Sequence, residues 1–155
     1  MPNTTWSILS PMQLGRYAEY YAKMEFASYA YDVYTSEVDD HGVDFVARSP
    51  VDGTYYEIQV KSVRKTGYVF IPKDKMPLDP HRLVCFLHFQ DGELPGVYVI
   101  PATAWQMHNR ALADHDYGGP GQTSKPEWGI NFSQRNLPLL EPYRAEAFFA
   151  REARP

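Results

Sequence analysis

Apolar and polar residues alternate in two runs between Val43 and Ser62. The first reads Val-Asp-Phe-Val-Ala-Arg-Ser and the second Thr-Tyr-Tyr-Glu-Ile-Gln-Val-Lys-Ser, with Pro-Val-Asp-Gly between them. A period of two is that of a half-buried strand, and Asp52-Gly53 is a tight-turn signal, so the pattern predicts a hairpin. With Asp52-Gly53 as the loop, Asp44 stands opposite Lys61, Val46 opposite Gln59 and Arg48 opposite Glu57. A loop from Val51 to Thr54 gives the same register. Asp44, Val46, Arg48, Glu57, Gln59 and Lys61 then share one face. Val43, Phe45, Ala47, Tyr56, Ile58 and Val60 form the other, which is the core face.

The rest of the chain supplies helices and further strands. Ser10-Pro11-Met12-Gln13 is a helix start, with Ser as N-cap, Pro in the first turn and Gln placed to close a capping box. The helix runs to about Phe26 or Ser28, with Leu14, Tyr17, Ala18, Tyr21 and Met24 as its apolar stripe. Gly15, Glu19, Ala22 and Phe26 make a neighbouring face. Tyr29 to Tyr34 reads as an edge strand, and Asp39-Asp40-His41-Gly42 as an acidic turn. A strand is expected over Tyr68–Ile71, a loop over Pro72–Pro80 and a central buried strand over Leu83–Phe89. Val97–Ile100 returns as a strand, and Pro101 to about Leu112 suits a helix packed through Trp105 and Met107. Asp114 to Pro126 is loop, Trp128–Phe132 a short edge strand, and Leu139 to about Ala153 a C-terminal helix. This order predicts an α/β sandwich, a mixed sheet flanked by helices.

Composition narrows the class without naming it. The 155 residues suit a single domain, 1–155, and at 44% hydrophobic and 22% charged the chain can bury a sizeable core. Twelve tyrosines argue against disorder. Cys85 is the single cysteine, so no internal disulfide forms and a reducing cytoplasm is the expected setting. No apolar run approaches membrane-spanning length. His88, His108 and His115 lack metal-ligand spacing, which sets zinc aside. Gly118-Gly119-Pro120-Gly121 lacks the Lys-Ser/Thr ending of a phosphate-binding loop, so no nucleotide cofactor is expected. The net charge of −4 speaks against a protein that coats nucleic acid, although a local basic track is compatible with it. Lys61, Arg64, Lys65, Lys73 and Lys75 form the densest basic set, interleaved with Tyr68 and Phe70. They are the candidate phosphate contacts, or else a solvated basic loop.

The hairpin carries the chemistry. A carboxylate (Asp44), a carboxamide (Gln59) and an ammonium (Lys61) converge on one face. Oxygen donors suit a hard cation such as Mg2+ or Mn2+, and a cation beside a lysine suits phosphodiester hydrolysis. The plain alternative is a surface face with cross-strand ion pairs, each contributing about 0.2–1 kcal/mol.

Gly42-Val43-Asp44 followed by Gln59-Val60-Lys61 at the end of the next strand resembles the PD-(D/E)XK nuclease superfamily. The resembled branch is that of Holliday-junction resolvases and methylated-DNA restriction enzymes, where Gln-x-Lys stands for the acidic form in several members. The resemblance covers about the first hundred residues. It implies a restriction-endonuclease-like fold, Mg2+ or Mn2+ as cofactor and DNA as partner. By position Asp44 becomes a metal ligand, Gln59 takes the second acidic position, Lys61 becomes the catalytic lysine, and Glu19 on the first helix joins the metal site. Val43 replaces the motif's proline, and Gln59 removes one negative charge. Glu57 competes with Gln59 for the acidic role, but its place opposite Arg48 points to an ion pair. The leading expectation is a metal-dependent deoxyribonuclease. The alternative is a degenerate domain of the same fold that binds or assembles, for instance within a defence or toxin–immunity system. A homodimer is compatible with either.

Overall fold

A computed structural model of the chain describes residues 1–37, 41–121 and 123–154. The first helix, α1, spans Pro11–Ser28. Ser10 Oγ accepts from Gln13 N–H at 3.2 Å, and Gln13 Oε1 accepts from Ser10 N–H at 2.8 Å, closing the expected capping box. The chain then leaves the helix through Ala30 in the left-handed region (φ 67°). That turn delays strand β1 to Asp32–Tyr34, three residues later than its apolar start suggests. Strands β2 (Phe45–Arg48), β3 (Tyr55–Arg64), β4 (Gly67–Pro72), β5 (Arg82–Phe89), β6 (Gly96–Pro101), β7 (Leu112–His115) and β8 (Glu127–Phe132) follow.

The strands form two sheets, β1-β2-β3-β5-β6 and β4-β8-β7. In the larger, β3 and β5 are parallel and the other pairs antiparallel. Its two faces are both covered. Leu83, Cys85, Leu87 and Phe89 of β5, with Val97 and Val99 of β6, face α1 and the C-terminal helix; Val84, Phe86, Tyr98 and Ile100 face the smaller sheet. Burial on both sides is why β5 reads as an unbroken apolar run. It also keeps the Cys85 thiol dry, which raises its pKa.

Several expectations are corrected by this second sheet. The segment after Pro101 makes only a short 3-10 turn, Ala102–Met107, and then β7; Trp105 is buried as expected, but Met107 is exposed. Trp128–Phe132 is not an edge strand, because β8 lies between β4 and β7. The C-terminal helix is broken. Pro142 interrupts it, leaving α2 (Leu137–Leu140), a 3-10 turn (Glu141–Tyr143) and α3 (Ala145–Glu152). On α1 the buried stripe is Leu14, Ala18, Ala22 and Phe26, and Met24 is 56% exposed. A four-residue spacing drifts around the helix by about 40° each step. It follows the core better than the Tyr17–Tyr21–Met24 edge, and it leaves Gly15 and Glu19 at the border of the buried face.

The hairpin register is shifted by two residues. Phe45 pairs with Ile58, Val46 with Glu57 and Arg48 with Tyr55, so Asp44 is not opposite Lys61, nor Val46 opposite Gln59, nor Arg48 opposite Glu57. Ser49 N–H closes the loop on Thr54 O at 2.8 Å, which makes the connection Pro50–Gly53. Ser49 is 1% exposed and its Oγ accepts from Val51 N–H at 3.2 Å, while Asp52 Oδ1 accepts from Thr54 N–H at 3.0 Å. These local bonds add a loop residue before Val51 and take Thr54 out of the loop, next to the start of β3. A shift of two preserves the faces, so the core assignment stands.

Phe26 packs at ring-centroid distances of 5.0–5.6 Å from Tyr31, Phe45 and Phe149 and is fully buried. Phe26→Ala should cost about 3–5 kcal/mol in urea unfolding, and Met24→Ala less than about 0.5 kcal/mol. Comparable losses for both would contradict this placement of the helix.

Candidate functional site

The ladder between β2 and β3 ends at Phe45. Asp44 N–H still donates to Ile58 O at 2.8 Å. Its side chain then takes over from the ladder, because Asp44 Oδ2 accepts from Val60 N–H at 2.7 Å. Asp44 therefore grips the β3 backbone on both sides of Gln59. Among the described residues no strand pairs with this edge of β3 beyond Ile58. The gap is bordered by α1 on one side and β4 on the other. A cleft of about 420 Å³ opens there, lined by Gly15, Val60, Lys61, Ser62, Tyr68, Val69, Phe70 and Pro72.

Gln59 and Lys61 alternate with the core residues Ile58 and Val60, and so point away from α1. The Gln59 carbonyl oxygen, Oε1, is buried and has no hydrogen-bond partner among the described residues. It lies near Gly42, whose left-handed backbone (φ 72°) brings the chain close to Lys75; a Cβ at Gly42 would stand 3.6 Å from Gln59 Oε1 and 3.2 Å from Lys75 O. An orphaned carbonyl oxygen costs about 1–3 kcal/mol. It is an oxygen donor on the stretch of β3 that the Asp44 carboxylate grips, and oxygen donors of these two kinds fit a hard divalent cation. Lys61 is half-buried. Burial lowers its pKa, and the nearby Asp44 carboxylate works in the opposite direction.

The other predicted site residues divide. Glu19 is partly buried on α1 and pairs with Arg16 at 3.3 Å. Glu57 does not pair with Arg48. It faces Arg82 across the parallel β3–β5 pair, with Arg82 Nη1 to Glu57 Oε2 at 3.2 Å, and Arg82 also donates to Lys75 O at 2.6 Å. Arg48 instead lies over the Tyr55 ring, 5.8 Å from its centroid. Among the described residues no group of three or more His, Cys, Asp or Glu is placed to hold a metal ion. Asp39 and Asp40 of the acidic turn lie outside the described residues, and His41 is exposed.

The basic set is split by β4. Arg64 and Lys65 are exposed at the β3–β4 turn. Lys73 and Lys75 sit at the far end, and Lys73 is engaged: its ammonium donates to Asp114 and Asp116 and lies 4.1 Å from the Trp128 ring centroid. His88 is half-buried, with Nε2 2.7 Å from Lys65 O, so its ring is satisfied by the backbone. A larger cleft, about 540 Å³, lies elsewhere and includes Glu25, Glu93, Glu146 and Arg144. Burial, then Glu146, raise the Glu25 pKa. Three carboxylates make that cleft a poor host for phosphate.

No protein-family model matches this sequence, and no curated protein matches it either. Among solved structures, Hjc, a Holliday junction resolvase from the archaeal hyperthermophile Archaeoglobus fulgidus, is similar at 13% identity over 81% of this chain and 88% of its own, with a TM-score of 0.47. A bacterial homing endonuclease is similar at 17% identity over 93% of this chain and 94% of its own, with a TM-score of 0.51.

Two substitutions separate the roles of the neighbouring polar residues. Gln59→Met removes the orphaned oxygen while keeping the volume, and should raise stability by about 1 kcal/mol in urea unfolding. Glu57→Gln should change it by less than about 1 kcal/mol, since the pair with Arg82 is half-exposed. A destabilised Gln59→Met protein would mean that the carbonyl is satisfied. The site thus stands on a mixed sheet flanked by helices and a second sheet, and the chain has a restriction-endonuclease-like fold, matching that of the bacterial homing endonuclease.

Proposed function

We propose that this chain is a metal-dependent nuclease that hydrolyses phosphodiester bonds in DNA. The observation that carries the reading is the buried Gln59 Oε1, without a partner among the described residues, on the stretch of β3 that the Asp44 carboxylate grips and that ends in the half-buried Lys61. DNA is named as substrate because the homing endonuclease shares the fold over nearly the whole chain. Asp44 and Gln59 would hold Mg2+ or Mn2+, while Glu19 stays paired with Arg16 on α1. Bound there, the ion would act as a Lewis acid and activate water. Asp44, fixed by Val60 N–H, orients its own carboxylate. Lys61 places a positive charge where negative charge grows on the phosphate, and its partial burial strengthens that attraction. Arg64 and Lys65, exposed at the β3–β4 turn and without an ion pair among the described residues, remain the phosphate contacts of choice, with Lys75 at the far end of β4 near Gly42. Lys73, held by two aspartates, contributes little to such a track.

A binding or assembly module of the same fold is the second reading. It is favoured by the neutral Gln59 and by the lack, among the described residues, of three ligating side chains placed to hold a metal ion. The metal separates the two. Mg2+ often needs only one or two carboxylates plus substrate phosphates, so weak binding by the protein alone suits a nuclease. Millimolar Mn2+ should raise the Tm slightly, and more in Gln59→Glu, where the missing charge is restored; roughly tenfold saturation gives about 1.4 kcal/mol. Asp44→Asn should erase the response. On supercoiled DNA with Mn2+, Lys61→Ala should cut about 100-fold more slowly while melting normally. A melting curve indifferent to Mn2+ in both wild type and Gln59→Glu would defeat the nuclease reading.

A further inference from the structure

The outer face of the smaller sheet carries an aromatic surface next to the Lys61 cleft. Tyr68 and Phe70 alternate with the buried Ile71 and the partly buried Val69, so their rings stand on the side of β4 away from the core. They are 40% and 49% exposed, with centroids 6.4 Å apart and planes only 20° from parallel. Two devices hold them there. The Tyr68 hydroxyl donates to the buried Glu127 carboxylate. Gly129, across from Phe70 on β8, leaves the space that the Tyr68 ring fills, since a Cβ at that position would clash with it. Burial and the Glu127 bond raise the Tyr68 pKa, so the ring stays neutral. His115 continues the surface, 6.0 Å from Tyr68, and stacks on Tyr117 at 5.3 Å.

Cationic groups stand at both ends of this surface. At the β3 side is Lys61, which lines the same cleft as Tyr68 and Phe70. At the other end Asn131, paired with Tyr68 across the sheet, opens into a shallow depression of about 400 Å³ shared with Arg110, Ser133 and Arg135. Asn136 is 3% exposed and fixes that corner: its amide donates to Arg110 O at 3.2 Å and Asn131 O at 3.0 Å, and its Oδ1 accepts from Arg110 Nε at 3.4 Å. Rigid exposed rings between positive charges are the pattern of a surface that stacks bases while the phosphates run alongside. A fully paired duplex keeps its base faces inside, so only unpaired nucleotides can use the rings.

We propose that the outer face of the smaller sheet, through Tyr68 and Phe70, stacks the unpaired bases of a DNA strand whose backbone runs from Arg110 and Arg135 towards Lys61. This rests on the nuclease reading for the choice of DNA, and it gives that site a substrate class: DNA with a single-stranded or splayed segment.

The test measures binding in EDTA, where cleavage is absent. A fluorescein-labelled mixed-sequence single strand, and the same strand in a blunt duplex, are titrated by anisotropy. Wild type and Lys61→Ala should both prefer the single strand. Phe70→Ala should weaken single-strand binding about tenfold, the order of one lost base–aromatic stack, and leave duplex binding unchanged. Phe70→Trp should restore it, and Arg110→Ala combined with Arg135→Ala should flatten the salt dependence. The proposal is overturned if Phe70→Ala binds the single strand as wild type does, if both DNA forms weaken equally, or if neither form binds wild type. It is also overturned if sedimentation shows a dimer that Phe70→Ala dissociates without altering DNA binding, which would make the face a contact between copies of the chain. The two readings fail separately. A protein that binds single strands through Phe70 yet cleaves nothing retains the platform and loses the nuclease, and one that cleaves with Phe70 irrelevant to binding does the reverse.

Discussion

The bond from Val60 N–H to the Asp44 carboxylate is the point on which the site depends. A strand that continued past Phe45 would satisfy that N–H with a backbone carbonyl and close the edge of β3. Here the strand stops, and a side chain makes the bond instead. Three consequences follow together. Asp44 is fixed against β3, Gln59 keeps a buried oxygen without a partner among the described residues, and Lys61 stands at an open edge where burial and Asp44 act on it in opposite senses. The last two are unfavourable or neutral for stability, and with the first they form an arrangement suited to charge on a ligand.

The two cores make this opening possible. The larger sheet is covered on one face by α1 and α3 and on the other by the smaller sheet, but the cover is complete only over β5 and β6. The parallel pairing of β3 with β5 anchors β3 from Glu57 to Arg64, so its other edge can stay unpaired beyond Ile58 without loss of the strand. The smaller sheet then brings β4 alongside that edge. Ile71 and Val69 of β4 serve the core and Tyr68 and Phe70 face outward. Glu127 and Gly129 hold the Tyr68 ring in place, which is more order than a solvated surface requires.

Much of this was legible in the sequence wherever the signal was local. The capping box of α1, the alternation of the hairpin faces and the apolar run of β5 are short-range patterns, and each led to the right element. The register failed because Ser49 and Asp52 make side-chain bonds that enlarge the loop, and Asp52-Gly53 alone does not disclose them. The broken C-terminal helix was signalled by Pro142, outweighed in the pattern by the apolar spacing around it. Arg82, partner of Glu57, and the corner of Arg110, Arg135 and Asn136 lay beyond reach. They meet through sheet pairing between segments tens of residues apart, and no spacing within the chain announces them. Lys73 belonged to the basic track by sequence, but its engagement by Asp114 and Asp116 depends on β7 lying beside β8.

On the nuclease reading, the orphaned oxygen of Gln59 is a ligand for a cation. Crystals of the wild-type protein soaked in Mn2+ and measured at the manganese absorption edge would test it most directly. The expected result is an anomalous difference peak at bonding distance from both the Asp44 carboxylate and Gln59 Oε1. A well-ordered map with no peak there, or with the Gln59 amide turned to a protein partner, would contradict it.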